Sequence, residues 1–273
     1  MTGPVLTRQI AILIDGGFLL RRLPKLGHAG QDVEAIAGAV RRLCRRHVTQ
    51  LIGDPHERHW RRHVYRVFFY DALPYDGVAH HPLRNERIDY DKTDTALFRR
   101  ALFDQLRRQP NLALRLGKVI RHDDWVVPTR RLKPLLATRA LLRGIDLTTI
   151  DDAGRLTLTP EQIAEMTRLQ SRWQELRDDD VMLDLRQKGV DQRIGLDIAA
   201  LALKRFVTTI VLVSGDSDFV PAAKLARREG LQFILDPLWQ SVSADLFEHI
   251  DGLQSGLPKP ETPAATIPQE EDN

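Results

Sequence analysis

The chain contains almost no cysteine. Its 273 residues include one, Cys44, which excludes an intramolecular disulfide and any Cys-rich zinc site. No apolar run approaches the ~20 residues that a membrane-spanning helix needs. The first residues show no charged-then-apolar secretory pattern, so a reducing, cytoplasmic location without a membrane partner is the expectation. His80, His81 and His122 lack a ligand spacing such as His-x-x-x-His and read as loop histidines. Asp178, Asp179 and Asp180 read as a solvated acidic turn rather than a cation site.

What is present suits a soluble globule. Hydrophobic residues make up 42% of the chain, enough to fill the core of one large α/β domain or of a domain with an insertion. The net charge of +3 is unevenly spread. Residues 1–150 carry 27 Lys and Arg against 15 Asp and Glu, whereas 151–273 carry 13 against 22. A basic half suits a polyanion such as nucleic acid, because Lys and Arg displace counterions from phosphates. Solvated helix faces on an arginine-rich protein account for it equally well.

Strands and helices alternate along the chain. "QIAILI" (9–14) is an apolar run stopping at Asp15-Gly16-Gly17, the pattern of a buried strand entering a glycine turn. Residues 32–50 show helical spacing of Val33, Ile36, Ala37, Val40, Leu43 and Cys44. "VYRVFFY" (64–70) predicts a strand ending at Asp71, 94–109 a helix and 112–120 a strand. From about 74 to 187 the pattern is less regular, and part of this stretch reads as an insertion or subdomain beside the sheet. There "LPYDGVAHHP" (73–82) is predicted as loop, "DWVVPTRRLKP" as a short extended piece, and Thr159-Pro160-Glu161-Gln162 as a capped start of a helix reaching about Arg177. The alternation resumes with a helix within 188–206, a strand at 209–213, a helix at 218–229, a strand at 231–236 and a short helix at 242–249. The pattern is that of an α/β domain, 1–254, with a mainly parallel central sheet covered by helices. Residues 255–273 are Pro-rich and acidic and are predicted to be a disordered tail.

Ligands of open parallel sheets bind beyond the carboxyl ends of the strands. Asp15 ends the first strand, Asp216 and Asp218 follow the strand 209–213, and Asp191 opens a helix after Lys188-Gly189. If those strands are neighbours, the acids crowd one edge. Clustered carboxylates repel one another unless a cation or protons compensate. All-oxygen donors suit Mg²⁺ or Mn²⁺, which activate water and stabilise phosphoryl oxygens. Taken singly, each aspartate could be a helix cap or turn residue. Asp197 lies six residues from Asp191, about 240° around a regular helix, and is a supporting ligand or a hydrogen-bond acceptor behind the site.

The stretches "AILIDGGFL" (11–19), "RVFFYDALP" (66–74), "QKGVDQRIGLDIAALA" (187–202) and "VLVSGDSDFVPAAKLARREG" (211–230) resemble the NYN domain family, its LabA-like branch, within the PIN-like nuclease superfamily. The resemblance implies a PIN-like three-layer α/β/α sandwich, a Mg²⁺ or Mn²⁺ site and single-stranded RNA as substrate. It makes Asp15, Asp191, Asp216 and Asp218 the metal-site acids. Many members carry Asn near the end of the first motif, where Phe18 and Leu19 stand here.

The implied chemistry is metal-assisted hydrolysis of an RNA phosphodiester without a covalent intermediate. Ser214 or Ser217 could orient water or phosphate, or simply close the turn. Lys188 is a candidate phosphate neutraliser. Arg41, Arg42, Arg45 and Arg46, or Arg61 and Arg62 beside Trp60, could guide the strand. Two rivals differ in kind. One is an RNA-binding or complex-forming module with a vestigial metal site; the other is a haloacid dehalogenase-type phosphatase, disfavoured because its second Asp would fall at Gly17. A homodimer or protein partner is left open.

Overall fold

The computed structural model describes residues 9–259, except Ala29, Gln31, Leu147 and Thr149. The chain divides into two compact units. The first comprises residues up to Tyr75, Asp91–Val119 and Gln187 onward; the second comprises Asp76–Tyr90 and Ile120–Arg186. The segment 91–119, inside the irregular stretch, thus belongs with the first unit.

In chain order the first unit opens with β1 (Ile10–Asp15), α1 (Gly16–Arg22), α2 (Val33–Ile52) and β2 (Val64–Leu73). The second unit adds a hairpin, β3 (Val78–His80) and β4 (Arg87–Asp89). The chain then returns through α3 (Asp94–Arg107) and β5 (Leu112–Val126), followed by α4 (Thr129–Ala137), α5 (Arg139–Gly144), α6 (Pro160–Gln174) and β6 (Met182–Lys188). It closes with α7 (Val190–Leu203), β7 (Thr209–Val213), α8 (Val220–Arg228), β8 (Gln232–Asp236), α9 (Ala244–Glu248) and β9 (Gly252–Leu253). Among the described residues the main sheet has seven strands in the order β6-β5-β2-β1-β7-β8-β9. β1 pairs parallel with both β2 and β7, and β2–β5, β7–β8 and β8–β9 are parallel too.

Every residue of β1 is buried, because side chains alternate between two covered faces. Ile10, Ile12 and Ile14 join Val211, Val213 and the apolar stripes of α2 and α3 on one side. Ala11 and Leu13 join Phe68, Tyr70, Leu212 and the inner faces of α7 and α8 on the other. Each fully buried Ile or Leu is worth roughly 1.5–3 kcal/mol, so the alternation itself fixes the strand's register. The result is the expected α/β/α layering.

In several elements the structure departs from the sequence reading. Residues 16–22 are helical rather than a turn. The stretch read as "DWVVPTRRLKP" in extended form divides into the end of β5 and α4, which carries Pro134 inside it. β6 has no counterpart in the sequence reading. The predicted capping box is present: Gln162 N–H donates to Thr159 Oγ1 at 3.2 Å, and Thr159 N–H to Gln162 Oε1 at 2.9 Å. Past residue 254, Gly256 N–H donates to Asp236 Oδ2 at 2.8 Å and Leu257 is buried in the core. The remainder of the predicted tail, 260–273, lies outside the described residues.

Within the second unit, His81 is buried, with Nε2 3.2 Å from the Asp178 carbonyl and its ring edge-on to Trp125. Asp180 is buried and pairs with Arg131 at 3.1 Å, so the acidic triplet is not wholly a solvated turn. His122 pairs with Asp184 at 3.2 Å. Among the described residues no helix is long and apolar enough to cross a membrane.

Candidate carboxylate rim

β1 and β7 are neighbours, so the ends of both strands reach the same edge of the sheet. Asp15 is the last residue of β1 and the N-cap of α1: its Oδ1 accepts the Phe18 N–H at 2.9 Å. Gly16 is required there, because a Cβ would fall 2.5 Å from the Phe69 ring and 2.7 Å from the Tyr70 carbonyl. That close approach presses the first turn of α1 onto β2 and fixes the buried Asp15 carboxylate. Its Oδ2 has no hydrogen-bond partner among the described residues.

Gly189, with φ of 80°, ends β6 and starts α7. The left-handed conformation suits glycine and places Asp191 in the first turn of the helix. Beyond β7 the chain forms a single 3-10 turn, Ser217–Phe219, capped by Asp216, whose Oδ1 accepts the Asp218 N–H at 3.0 Å. Asp216, Ser217 and Asp218 are exposed. Ser214 is fully buried, and its Oγ accepts the Asp216 N–H at 3.3 Å. It braces the loop from within.

The carboxylates interact in two overlapping groups. Burial raises the pKa of Asp15; the Phe18 N–H and Arg21 oppose the rise, and Asp191 and Asp71 reinforce it. Burial also raises Asp191, reinforced by Asp216 and Asp218 and opposed by Arg21. Asp191 is therefore the acid that links the strand-end pair to the pair after β7. Arg21, on α1, is the cation they share.

Asp71 joins the site from β2, although sequence reasoning used it only as a strand end. Its side chain is wholly buried and accepts hydrogen bonds from Arg99, from Ala72 N–H at 2.8 Å and from Gln187 Nε2 at 3.4 Å. Burial raises its pKa, and Arg99 opposes the rise. Neither Arg21 nor Arg99 carries a sequence signal of its own. An Asp at the end of a second strand was the available clue to this corner.

Asp197 lies apart from these groups. Its Oδ2 accepts the Tyr70 hydroxyl at 2.8 Å and pairs with Arg115 Nε at 3.1 Å. Burial and this carboxylate push the Tyr70 phenol far up, so the contact is a fixed strut between α7 and β2. Lys188 is exposed at the end of β6. Phe18 and Leu19 are buried core residues.

Arg41 and Arg45 are exposed on α2. Arg41 lines a cleft of about 330 Å³ with Glu34, Arg61, Gln105 and Arg108. Arg61 precedes the start of β2, whereas Asp71 lies near that strand's end. The seven steps from Val64 to Asp71 span roughly 23 Å at strand rise, so the arginine cleft occupies the opposite edge of the sheet.

The donor set at the rim is all oxygen, as Mg²⁺ or Mn²⁺ prefers. Burial raises Asp15 and Asp191, and their carboxylate neighbours add to the rise against Arg21, a cost to the charged forms that a cation would lessen. In chemistry the residues fit. In spacing they form an open site: among the described residues the one trio of acid or His ligand atoms lying within 4.8 Å of one another is Asp245, Glu248 and His249, on and beside α9.

Residues 162–250 match the NYN domain, a family of the PIN-like nuclease superfamily. The match contains Asp191, Asp216 and Asp218 but not Asp15 or Asp71, and it points to a nuclease-like domain. No curated protein matches the chain in sequence. Among solved structures the chain is similar to a protein of unknown function from Vibrio parahaemolyticus, at 14% identity over 90% of this chain and 91% of that one, with a TM-score of 0.39. That likeness is too distant to carry function.

Proposed function

We propose that the protein is a metal-dependent ribonuclease of the LabA-like NYN type that hydrolyses phosphodiester bonds in single-stranded RNA at the carboxylate rim. The observation that carries this reading is Asp191, an acid inside the NYN match whose charge couples to Asp216 and Asp218 and also to Asp15. Asp15, Asp191, Asp216 and Asp218 would hold Mg²⁺ or Mn²⁺, which supplies a more acidic bound water and stabilises charge on phosphoryl oxygen. Asp197 serves behind them through Tyr70 and Arg115.

The chain's own groups divide the remaining tasks. Asp15 keeps one oxygen on the Phe18 N–H and offers the other to water or a ligand. Its raised pKa makes it a better proton acceptor than an exposed carboxylate. Arg21, the cation whose charge acts on both Asp15 and Asp191, is the candidate to meet a scissile phosphate. Lys188 and the Ser217 hydroxyl stand exposed beside the acids as phosphate contacts. Arg99 and Gln187 hold Asp71, which backs Asp15.

The alternative of an RNA-binding module with a vestigial metal site rests on one feature, the presence of Arg21 among acids that do not close into a tight ligand cage. One assay separates the two. Labelled single-stranded RNA is incubated with wild type and Asp191→Asn, in EDTA and in Mn²⁺. Cleavage is expected only with wild type in Mn²⁺, with the variant down by about 10²–10³-fold, the scale for losing one key electrostatic group. Equal cleavage by both proteins sinks the rim as the site.

A further inference from the structure

β8 pairs with β7 so that Asp236 lies opposite Val213. The residues that follow, Pro237–Gln240, therefore emerge beside the loop carrying Asp216. Gln240 Nε2 lies 3.0 Å from the point where a Cβ on Gly215 would stand. Two consecutive residues of this segment, Leu238 and Trp239, have left-handed φ values of 46° and 63°. L side chains avoid that region, and bulky ones keep it only where the surroundings impose it.

Here the surroundings do impose it. Asp236 Oδ1 accepts the Leu238 N–H at 2.8 Å, and the Leu238 carbonyl accepts both Nε and Nη2 of Arg22 at 3.1 and 2.6 Å. Gln240 N–H closes the turn onto the Pro237 carbonyl at 2.9 Å. The consequence is a division of labour between neighbours: Leu238 is fully buried, while Trp239 remains 45% exposed. Trp239 Nε1 donates to the Leu257 carbonyl at 2.9 Å, so the indole has no polar edge left to offer and presents only its ring. Single exposed apolar side chains are ordinary. One held outward by a strained, cross-braced turn beside a cluster of carboxylates is not.

We propose that Trp239 is a stacking platform for an unpaired nucleobase, seating one base of single-stranded RNA next to the rim. The role rests on the rim being an RNA site, and it gives the preference for single strands a physical cause, since a paired base offers no free face. A ring without a free donor or acceptor tolerates any base.

The test measures binding in EDTA, where no cleavage occurs, of a single-stranded RNA of about 12 nucleotides and of an abasic ribose-phosphate strand of equal length. Wild type, Trp239→Phe and Trp239→Ala are compared. Loss of one stacked base corresponds to about 5- to 150-fold in affinity. Trp239→Ala should lose that much for the base-bearing strand and nothing for the abasic one. Trp239→Phe, which loses the bond to Leu257 but keeps a ring, should stay close to wild type. Equal affinity of wild type and Trp239→Ala for base-bearing RNA overturns the proposal, as does a Trp239→Phe loss as large as that of Trp239→Ala. Cleavage in Mn²⁺ is scored on the same proteins: Trp239-dependent binding without any wild-type cleavage supports stacking and refutes the nuclease reading alone.

Discussion

The two edges of the main sheet handle charge in opposite ways. At the carboxyl edge Arg21 faces Asp15, Asp71 and Asp191, Arg99 pairs with Asp71, and Asp216 and Asp218 neighbour Asp191, while burial pushes Asp15, Asp71 and Asp191 toward their neutral forms. At the amino edge Arg41, Arg61 and Arg108 share one cleft with a single acid, Glu34. Along the chain the first half is basic and the second acidic, yet the acid edge draws on both: Asp15 and Asp71 come from the basic half, Asp191, Asp216 and Asp218 from the acidic one. Strand direction, not position in the chain, sorts the charges. Parallel strands deliver their last residues to one side, and whatever the sequence places there must coexist.

The largest effect on that contrast comes from removing a compensating cation. Asp71 is wholly buried, and Arg99 is its only charged hydrogen-bond partner among the described residues. Arg99→Ala leaves a buried carboxylate with the Ala72 N–H and a long contact to Gln187. Breaking such a pair costs about 3 kcal/mol or more, a fall in Tm of roughly 6–12 °C. Thermal melts should show that fall, and Asp71→Asn added to Arg99→Ala should restore much of it. An unchanged Tm in the single variant would mean that water reaches Asp71.

At the amino edge the expected change is smaller and appears in binding. If RNA extends from the rim to the arginine cleft, Arg41→Gln with Arg108→Gln should lower the slope of log affinity against log salt by about 1.4, at roughly 0.7 per lost phosphate contact. Turnover of RNA already bound should not change. A titration of binding against salt with the same slope as wild type would confine the substrate to the carboxyl edge.

Much of this arrangement is legible in the residues. β1, β2, β7 and β8 announce themselves as short apolar runs, and the ends of β1 and β7 locate Asp15, Asp216 and Asp218. Their adjacency is the part that strands alone leave open; the family resemblance implied it and the β1–β7 ladder provides it. Other features are silent because their cause is tertiary. Arg21 and Arg99 become important only by facing Asp15 and Asp71, and no spacing along the chain encodes that. α1 is hidden behind two glycines that read as a turn, although Gly16 is there so that the helix can touch Phe69. Ser214 looks available in "SGDSDF" and is buried. Leu257 lies in a stretch whose composition suggests disorder, yet it is in the core beside the His47–Asp236 pair, whose side chains are 2.8 Å apart.

The smallest expected effect tests the electrostatic premise directly. Burial first, then Asp191 and Asp71, hold the folded-state pKa of Asp15 above its ordinary value. A carboxyl raised in this way favours the folded state below its unfolded pKa, and that contribution is lost as pH rises through the folded value. At neutral pH its charge is therefore a cost. Asp15→Asn keeps an oxygen for the Phe18 N–H and removes the charge, so it should raise Tm at pH 7 by about 2–4 °C, the shift that ~1 kcal/mol produces in a domain of this size. The gain should shrink as pH falls toward 4, while Mn²⁺ should stabilise wild type more than the variant. Melts across pH, with and without the ion, read all three. If Asp15→Asn were no more stable than wild type at neutral pH, the rim's charge would already be balanced by Arg21 or by a proton, and the electrostatic need for a metal would disappear with it.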